Sequence, residues 1–501
     1  MAKETILTAI LALALVFGMT VVGCGDGGGD NNNPFIGSWT GSAVNPAGTV
    51  ETVTITFAES TWTMTYSIGA QGRPTAGTYT WSDNTAVLTA DTGQSQTITI
   101  TGNTIRMGEV TLSKSSGGET PGGDGNTVEG ATLAAKLEWL RNNAQSNTTY
   151  TITVSANESI RSEDAGMEYP GKNGITIIIL GSGSTRIISL SSNGSLFSVR
   201  NGVKLILDNN ITLQGKSGNT YTGVVSINSG GELEMKTGSK ITGNDGSGVY
   251  VGGTFTMNGG TISGNTGGGV FVSVDGTFTM NGGEISGNSN SSGGGVFVAY
   301  GSGSKSGGSF IMNSGKISGN TATSGGGGVI VSSGSSSTEQ GGSFIMNGGE
   351  ISGNTADNGG GVQISSLTGN NGIFTMNGGT ISGNTAKGST FGGGGVYVAG
   401  GIFTMDKGII SGNKASNKDG GGVYVLWSGT FRIANGTVYG STAATGQANT
   451  AASGAALYKY DSGGSTQAVA ERGTFSGTMW TSKGTLSATN DTISVENGDL
   501  K

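Results

Sequence analysis

The sequence predicts an all-β chain whose main body is a right-handed parallel β-helix, a solenoid, preceded by a small antiparallel β-meander or barrel. Three observations predict the solenoid. First, the thirteen-residue segment Gly253-Thr-Phe-Thr-Met-Asn-Gly-Gly-Thr-Ile-Ser-Gly-Asn265 recurs almost unchanged from Gly276, Gly308, Gly342, Gly372 and Gly401, with a degenerate copy from Gly429. Second, a Gly-Gly-Gly-Val-aromatic-Val motif lies between copies, as at Gly267 to Val272, Gly293 to Val298 and Gly420 to Val425. Third, the repeat is short and elastic: Met257, Met280, Met312, Met346, Met376 and Met405 lie 23, 32, 34, 30 and 29 residues apart. A propeller blade needs roughly 40–45 residues and helical repeats a long helical period, so neither fits. Three short apolar runs separated by Gly and Asn fit a coil of three strands, each pairing with the coils above and below at about 4.8 Å.

In such a stack, equivalent residues form columns. Phe255, Phe278, Phe310, Phe344, Phe374 and Phe403 form one inward column. The methionines form a second, and Ile262, Ile285, Ile317, Ile351, Ile381 and Ile410 a third. Asn265, Asn288, Asn320, Asn354, Asn384 and Asn413 fall at a corner, where Asn tolerates left-handed backbone and its amide bonds to the coils on either side. Their expected role is a structural ladder. The variable spacing implies insertions, such as Ser302 to Gly307 and Ser332 to Gly341, that loop out at corners without breaking the core. Open strand edges need covering. Leu133, Leu137 and Leu140 within Thr132 to Ala144 predict an amphipathic helix over the first coil, and degraded repeats predict a C-terminal cap over 473–501.

The N-terminus reads as a processing signal. Lys3 precedes an apolar run from Ile6 to Met19, which ends in Val21-Val22-Gly23-Cys24. The run is too short for a membrane span and is followed by no basic residues. Val21 to Cys24 resembles the lipobox of bacterial lipoproteins, with Val-Val a looser match than the usual pair. The resemblance implies a signal peptide over 1–23 and an acylated Cys24, the one Cys of the chain. A Gly-rich tether follows over 24–33. In 34–114, Val53, Ile55 and Phe57 alternate with Thr, and Trp62, Met64 and Tyr66 repeat the pattern, as half-buried antiparallel strands do. Gly37-Ser38-Trp39 resembles the opening of lipocalin-like barrels, which implies either a spacer with a filled core or a ligand pocket. A linker is expected over 115–130, and the capping helix and solenoid over 131–472.

Composition removes several functions. The formal charge is −7 and the pI about 4.8, opposite to the basic footprint that nucleic acid requires. There is no His, so the commonest general base and metal ligand is missing. One Cys excludes an internal disulfide and a Cys/His zinc site. The carboxylates Asp245, Asp275, Asp357 and Asp419 are scattered over different loops, and no calcium nonapeptide is present. Glu284, Lys316 and Glu350 share a register and read as a surface charge ladder. No catalytic residue, metal or cofactor is expected. The rival is a polysaccharide-cleaving lyase or hydrolase, since many β-helix proteins are such enzymes. Fold analogy alone does not carry that function.

One pattern points to binding. In Val-x-Val the valines face in and the middle residue out, giving the column Tyr250, Phe271, Phe297, Ile330, Gln363, Tyr397 and Tyr424, with Trp427 just beyond. Tyr250, Phe271, Phe297, Tyr397, Tyr424 and Trp427 are therefore the candidate ligand-stacking residues, for sugar rings or another protein. They equally well stack on one another or lie under the loops.

Ile351-Ser-Gly-Asn-Thr-Ala followed by Gly-Gly-Gly-Val362 resembles the paired Phe-x-x-Asn and Gly-Gly-Ala-Ile repeats of chlamydial polymorphic outer-membrane proteins, with Ile for Phe and Gly for Ala. The assembly as a whole resembles repeat lipoproteins of spirochaetes such as treponemes. These resemblances imply a lipid-anchored, envelope or cell-surface protein and, from the chlamydial case, adhesion to a glycan or to a host or neighbour-cell protein. The chain ends Val495 to Lys501 with no strand-rich membrane barrel, so an autotransporter is not expected. Cys24 would supply the anchoring of a monomer.

Overall fold

The structure is a computed structural model that describes 127–501 apart from 221–222, 335, 337–338, 366–371, 461–467, 477–478 and 488–491, together with the backbone of strands between Gly37 and Lys114. Two compact units divide the chain, Met1–Asp124 and Gly125–Lys501. In the first, eight strands from Gly37–Val44 to Val110–Lys114 pair antiparallel with their chain neighbours, and the first also pairs with the last. Their side chains, Cys24 and the expected signal and tether lie outside the described residues.

The second unit is a solenoid with all-β walls. One coil is Thr254–Met257, Thr261–Ser263 and Val270–Val272. Each strand pairs in parallel with its counterpart one coil on, such as Thr277–Met280, Glu284–Ser286 and Val296–Val298. Repetition builds a first sheet of 13 strands, a second of 13 and a third of 11. The repeat produces this because each run is too short to bury a face alone, whereas stacked runs enclose a continuous core.

That core is columnar. The six Phe rings from Phe255 to Phe403 are fully buried, stacked 4.6–4.7 Å apart and within 8° of parallel. Phe431 of the degenerate copy extends them at 5.0 Å. The Met and Ile columns are equally buried. Burying each such side chain contributes about 1.5–3 kcal/mol. The second Gly of the repeat is what lets the methionines lie in line. Gly349 has φ +84, and a Cβ there would stand 2.6 Å from Cε of Met312 in the preceding coil and 2.7 Å from the Gly315 carbonyl oxygen. Only Gly meets both the left-handed backbone and the close approach.

A fourth wall of five short strands accompanies the three that the repeat predicts: Ser289–Ser292, Thr321–Gly325, Thr355–Ala356, Thr385–Ala386 and Lys414–Ala415. It begins where the coil lengthens from 23 residues to 29 or more. The added residues after the corner Asn pair with one another, and Ala322, Ala356, Ala386 and Ala415 bury their methyl groups there.

Both ends of the solenoid are closed. Helix α1, Leu133–Asn143, starts at Thr132, whose hydroxyl accepts from the Ala135 N–H at 3.2 Å, a capping bond of about 1 kcal/mol. It ends where Ala144 leaves helical geometry. Leu133, Leu137 and Leu140 are buried with Tyr150 and Ile152 of the first coil. At the other end, Val469–Ser476 crosses the boundary expected between 472 and 473. Its first half extends the first sheet in parallel, and its second half pairs only with the antiparallel strand Met479–Thr485. Ile493–Glu496 extends the second sheet, also antiparallel, and Asp499–Leu500 is its last strand.

Candidate binding face

The Val-x-Val register holds along the third sheet. Tyr250, Phe271, Phe297, Ile330, Gln363, Tyr397 and Tyr424 follow one another in successive coils, and Tyr458 continues the column. The flanking valines lie inside the coil at 0–1% exposure. The middle residues lie outside it, with three different fates.

Tyr250, Phe271 and Phe297 are half-buried and stack on each other, 5.5 and 4.9 Å between centroids and within 11° of parallel. Both faces of Phe271 are therefore covered by neighbouring rings, and one face each of Tyr250 and Phe297. The strip presents ring edges outward, so it is not a row of open platforms. A groove of about 420 Å³ runs beside it, lined by Tyr250 and Phe271 on one side and by Thr220, Asp245, Thr266 and Asn290 among others. The Tyr250 hydroxyl shares a 2.8 Å hydrogen bond with Ser273. The Gly218 N–H, then the hydroxyls of Thr266 and Ser217, donate to Asp245 and hold its carboxyl below the usual carboxylate range. Such a group stays ionised at neutral pH, which suits it to accepting hydrogen bonds rather than to donating a proton.

The middle stretch is aliphatic and polar. Ile330 is buried, and the half-buried Gln363 has its Oε1 without a hydrogen-bond partner.

The third stretch departs from expectation. Tyr397 and Tyr424 are 3% and 4% exposed and do not face solvent. Phe391, on the Gly-rich loop before Val396, covers them at 5.8 Å and 6.5 Å. With Ala399 and Leu426 they form a small apolar cluster outside the coil. Burial pushes both phenols well above their ordinary value, helped by the neighbouring tyrosines. As ligand-stacking candidates these two residues are corrected to packing residues. The reason is loop length: the residues that lengthen this coil fold back over the strand instead of away from it.

Trp427 is the open member of the set, 47% exposed. Its ring meets Phe391 edge-on at 5.9 Å and 74°. Its backbone is left-handed, φ +53, which costs a bulky residue about 1–2 kcal/mol.

The corner asparagines are buried and hydrogen-bonded from coil to coil. Asn354 donates to Oδ1 of Asn384 at 3.0 Å and to the Ile317 carbonyl at 2.9 Å, and it accepts from the backbone N–H and the amide of Asn320 at 2.9 and 3.0 Å. Both donors and both lone pairs of the amide are used, which is the condition for burying it. Asn265, Asn288, Asn320, Asn384 and Asn413 stand in the same line. Asn219, Asn244 and Asn449 lengthen it. Ile241-Thr-Gly-Asn244 carried the signal for one of these, whereas the sequence around Asn219 and Asn449 has lost it. A second line is legible in the sequence: the Asn that follows five of the six methionines of the column, Met405 being followed by Asp406. Asn281, Asn313, Asn347 and Asn377 each donate to the preceding one at 2.8–2.9 Å, and Asn258 ends the line on Glu234. These amides are exposed.

Of the charge ladder, Lys316 pairs with Glu350 at 3.6 Å, while Glu284 accepts from the Ser318 hydroxyl. Among the described residues no group of His, Cys, Asp and Glu is arranged to hold a metal ion, and no helix is long and apolar enough to cross a membrane. No protein-family model, curated protein or solved structure matches the chain.

Proposed function

We infer that this chain is a lipid-anchored cell-envelope protein whose solenoid, a right-handed parallel β-helix, is a surface binding or adhesion module with no catalytic role. The observation that carries the reading is the outer face of the third sheet. There a rigid, columnar scaffold holds a polar groove beside Tyr250 and Phe271 and an open Trp427 farther along. Rigid surfaces of this kind bind extended ligands with little ordering of their own side chains. Right-handedness rests on the strong preference of parallel crossovers for that hand. Anchoring rests on the lipobox-like Val21 to Cys24, and an envelope location on the resemblance to treponeme-like and chlamydial repeats. The antiparallel ladder between Gly37 and Lys114 supports a small lipocalin-like barrel.

Two experiments test this. Cys24→Ala should move the protein out of the membrane fraction and change its mobility; a variant that stays in the membrane with unchanged mobility refutes lipid anchoring. The full chain, applied to an array of glycans and extracellular-matrix proteins, should bind at least one of them. Reproducible cleavage of a polysaccharide by the purified chain, abolished by changing a single carboxylate, would replace the binding reading with an enzymatic one.

A further inference from the structure

We propose that Trp427 is the stacking platform of a site for neutral glycans at the C-terminal end of the solenoid, its indole taking the C–H face of a pyranose ring. The proposal rests on the reading of the solenoid as a binding module and names the ligand class and the residue.

The backbone supplies the first argument. Ala399 and Leu426 are partners in adjacent coils, and the chain turns at the next residue of each. In one coil that residue is Gly400 with φ +86; in the next it is Trp427 with φ +53. The turn requires left-handed geometry, which Gly adopts freely and a bulky aromatic rarely does. An outlier of this kind, held by its surroundings, argues for a role outside the fold.

The ring supplies the second. Of the six candidate residues, Tyr397 and Tyr424 are buried, and Tyr250, Phe271 and Phe297 cover one another's faces. Trp427 alone among them is exposed with no ring stacked parallel on it; its aromatic neighbour is Phe391, at 5.9 Å and 74°. Phe391 is itself held by Tyr397 and Tyr424 beneath it. The buried tyrosines thus set the position of the one open ring, which is the preorganisation a weak, stacking-based site needs.

Polarity supplies the third. A pyranose offers an apolar face with hydroxyls around its rim. Tyr460, one rung on from Leu426, is 41% exposed. Neither its hydroxyl nor the Trp427 indole N–H has a hydrogen-bond partner among the described residues. The small residues Ser428 and Gly429 follow it in the chain, and one indole is far smaller than the roughly 800 Å² per partner of a protein interface. The formal charge of −7 disfavours anionic polymers.

The test uses the full chain on a glycan array, followed by calorimetric titration with cellohexaose and chitohexaose. Trp427→Gly is the informative variant, because it restores the residue that the preceding coil uses at this turn. The proposal expects a neutral glycan to bind the wild type, at least ten-fold weaker binding by Trp427→Gly with no fall in melting temperature, and partial recovery in Trp427→Phe. Equal binding by wild type and Trp427→Gly overturns the proposal and leaves the module reading standing. So does binding confined to proteins or to anionic glycans. Loss of binding together with a lowered melting temperature, unrescued by Phe, makes Trp427 a packing residue and also overturns it. A chain that binds nothing on glycan and protein arrays refutes both.

Discussion

Replacing Asn354 by Ala removes a carboxamide that uses all four of its hydrogen-bonding positions inside the protein. The change orphans the backbone N–H of Asn320 and one amide hydrogen of Asn320, and takes the side-chain bond from the Ile317 carbonyl, which keeps its place in the parallel ladder; these bonds measure 2.9, 3.0 and 2.9 Å in the native coil. Each buried group left without a partner costs about 1–3 kcal/mol. The Asn320 amide keeps its other bond, to the Ile285 carbonyl, and a water entering the vacated polar space recovers part of the loss. The expected destabilisation is about 2–5 kcal/mol on these terms. The same coil contains its own control. Asn347 makes the same kind of amide-to-amide bonds, to Asn313 and from Asn377 at 2.8 and 2.9 Å, but is exposed. Water replaces what Asn347→Ala removes, so that change should cost less than about 0.5 kcal/mol. Urea unfolding of the full chain, followed by far-ultraviolet circular dichroism, reads the difference. Because solenoids open coil by coil, hydrogen exchange of the amides between Ile317 and Asn384 should be read alongside. Two variants within about 1 kcal/mol of each other would refute the reasoning that burial, not bond count, gives the inner ladder its weight. Asn354→Asp sharpens the test. Its carboxylate would face two acceptors, Ile317 O and Asn384 Oδ1, so its folded pKa must rise. The penalty should be smallest in acid and grow as pH rises from the ordinary carboxyl value, about 3.9, toward that raised value.

Other outcomes follow from the packing. Gly349→Ala should destabilise by about 2–4 kcal/mol through collision with Met312 and Gly315. Gly353→Ala, where φ is +63 and the nearest atom to a Cβ is 3.9 Å away, should cost only the backbone strain, about 1 kcal/mol; equal melting temperatures would refute the role given to the methionine contact. Tyr397→Ala should lower stability by about 3–5 kcal/mol, as for other buried aromatics, and speed proteolysis of the loop carrying Phe391. A ligand-binding defect with unchanged stability would contradict its burial. Tyr397 and Tyr424 should ionise later in the folded chain than in urea when absorbance is followed through alkaline pH. Their folded pKa values lie above the ordinary 10.0, so the stability linked to their neutral forms is complete below pH 10 and is lost as pH climbs above it.

The sequence by itself determined the repeating unit, and through it most of the wall. The Phe, Met and Ile columns were legible because an inward position is apolar in every copy, and a period of one coil forces equal residues to stack. The corner Asn line was legible for the same reason, as was the exposed line from Asn258 to Asn377, whose bonding partners lie a coil away in sequence. Asn449 was not, because in a degraded coil the position survives in space after the motif around it has gone. The tertiary structure alone decided which aromatics meet solvent. Tyr250, Tyr397 and Trp427 occupy equivalent or adjoining outward places on paper. Yet one is stacked on a neighbour, one lies under Phe391 and one is open. Exposure on an outer face depends on where the inserted loops fold, and those loops carry no periodicity from which to read their path. The fourth wall was hidden for a related reason: Thr-Ala is too short a run to announce a strand, and only the matching coil beside it supplies the hydrogen bonds that make it one.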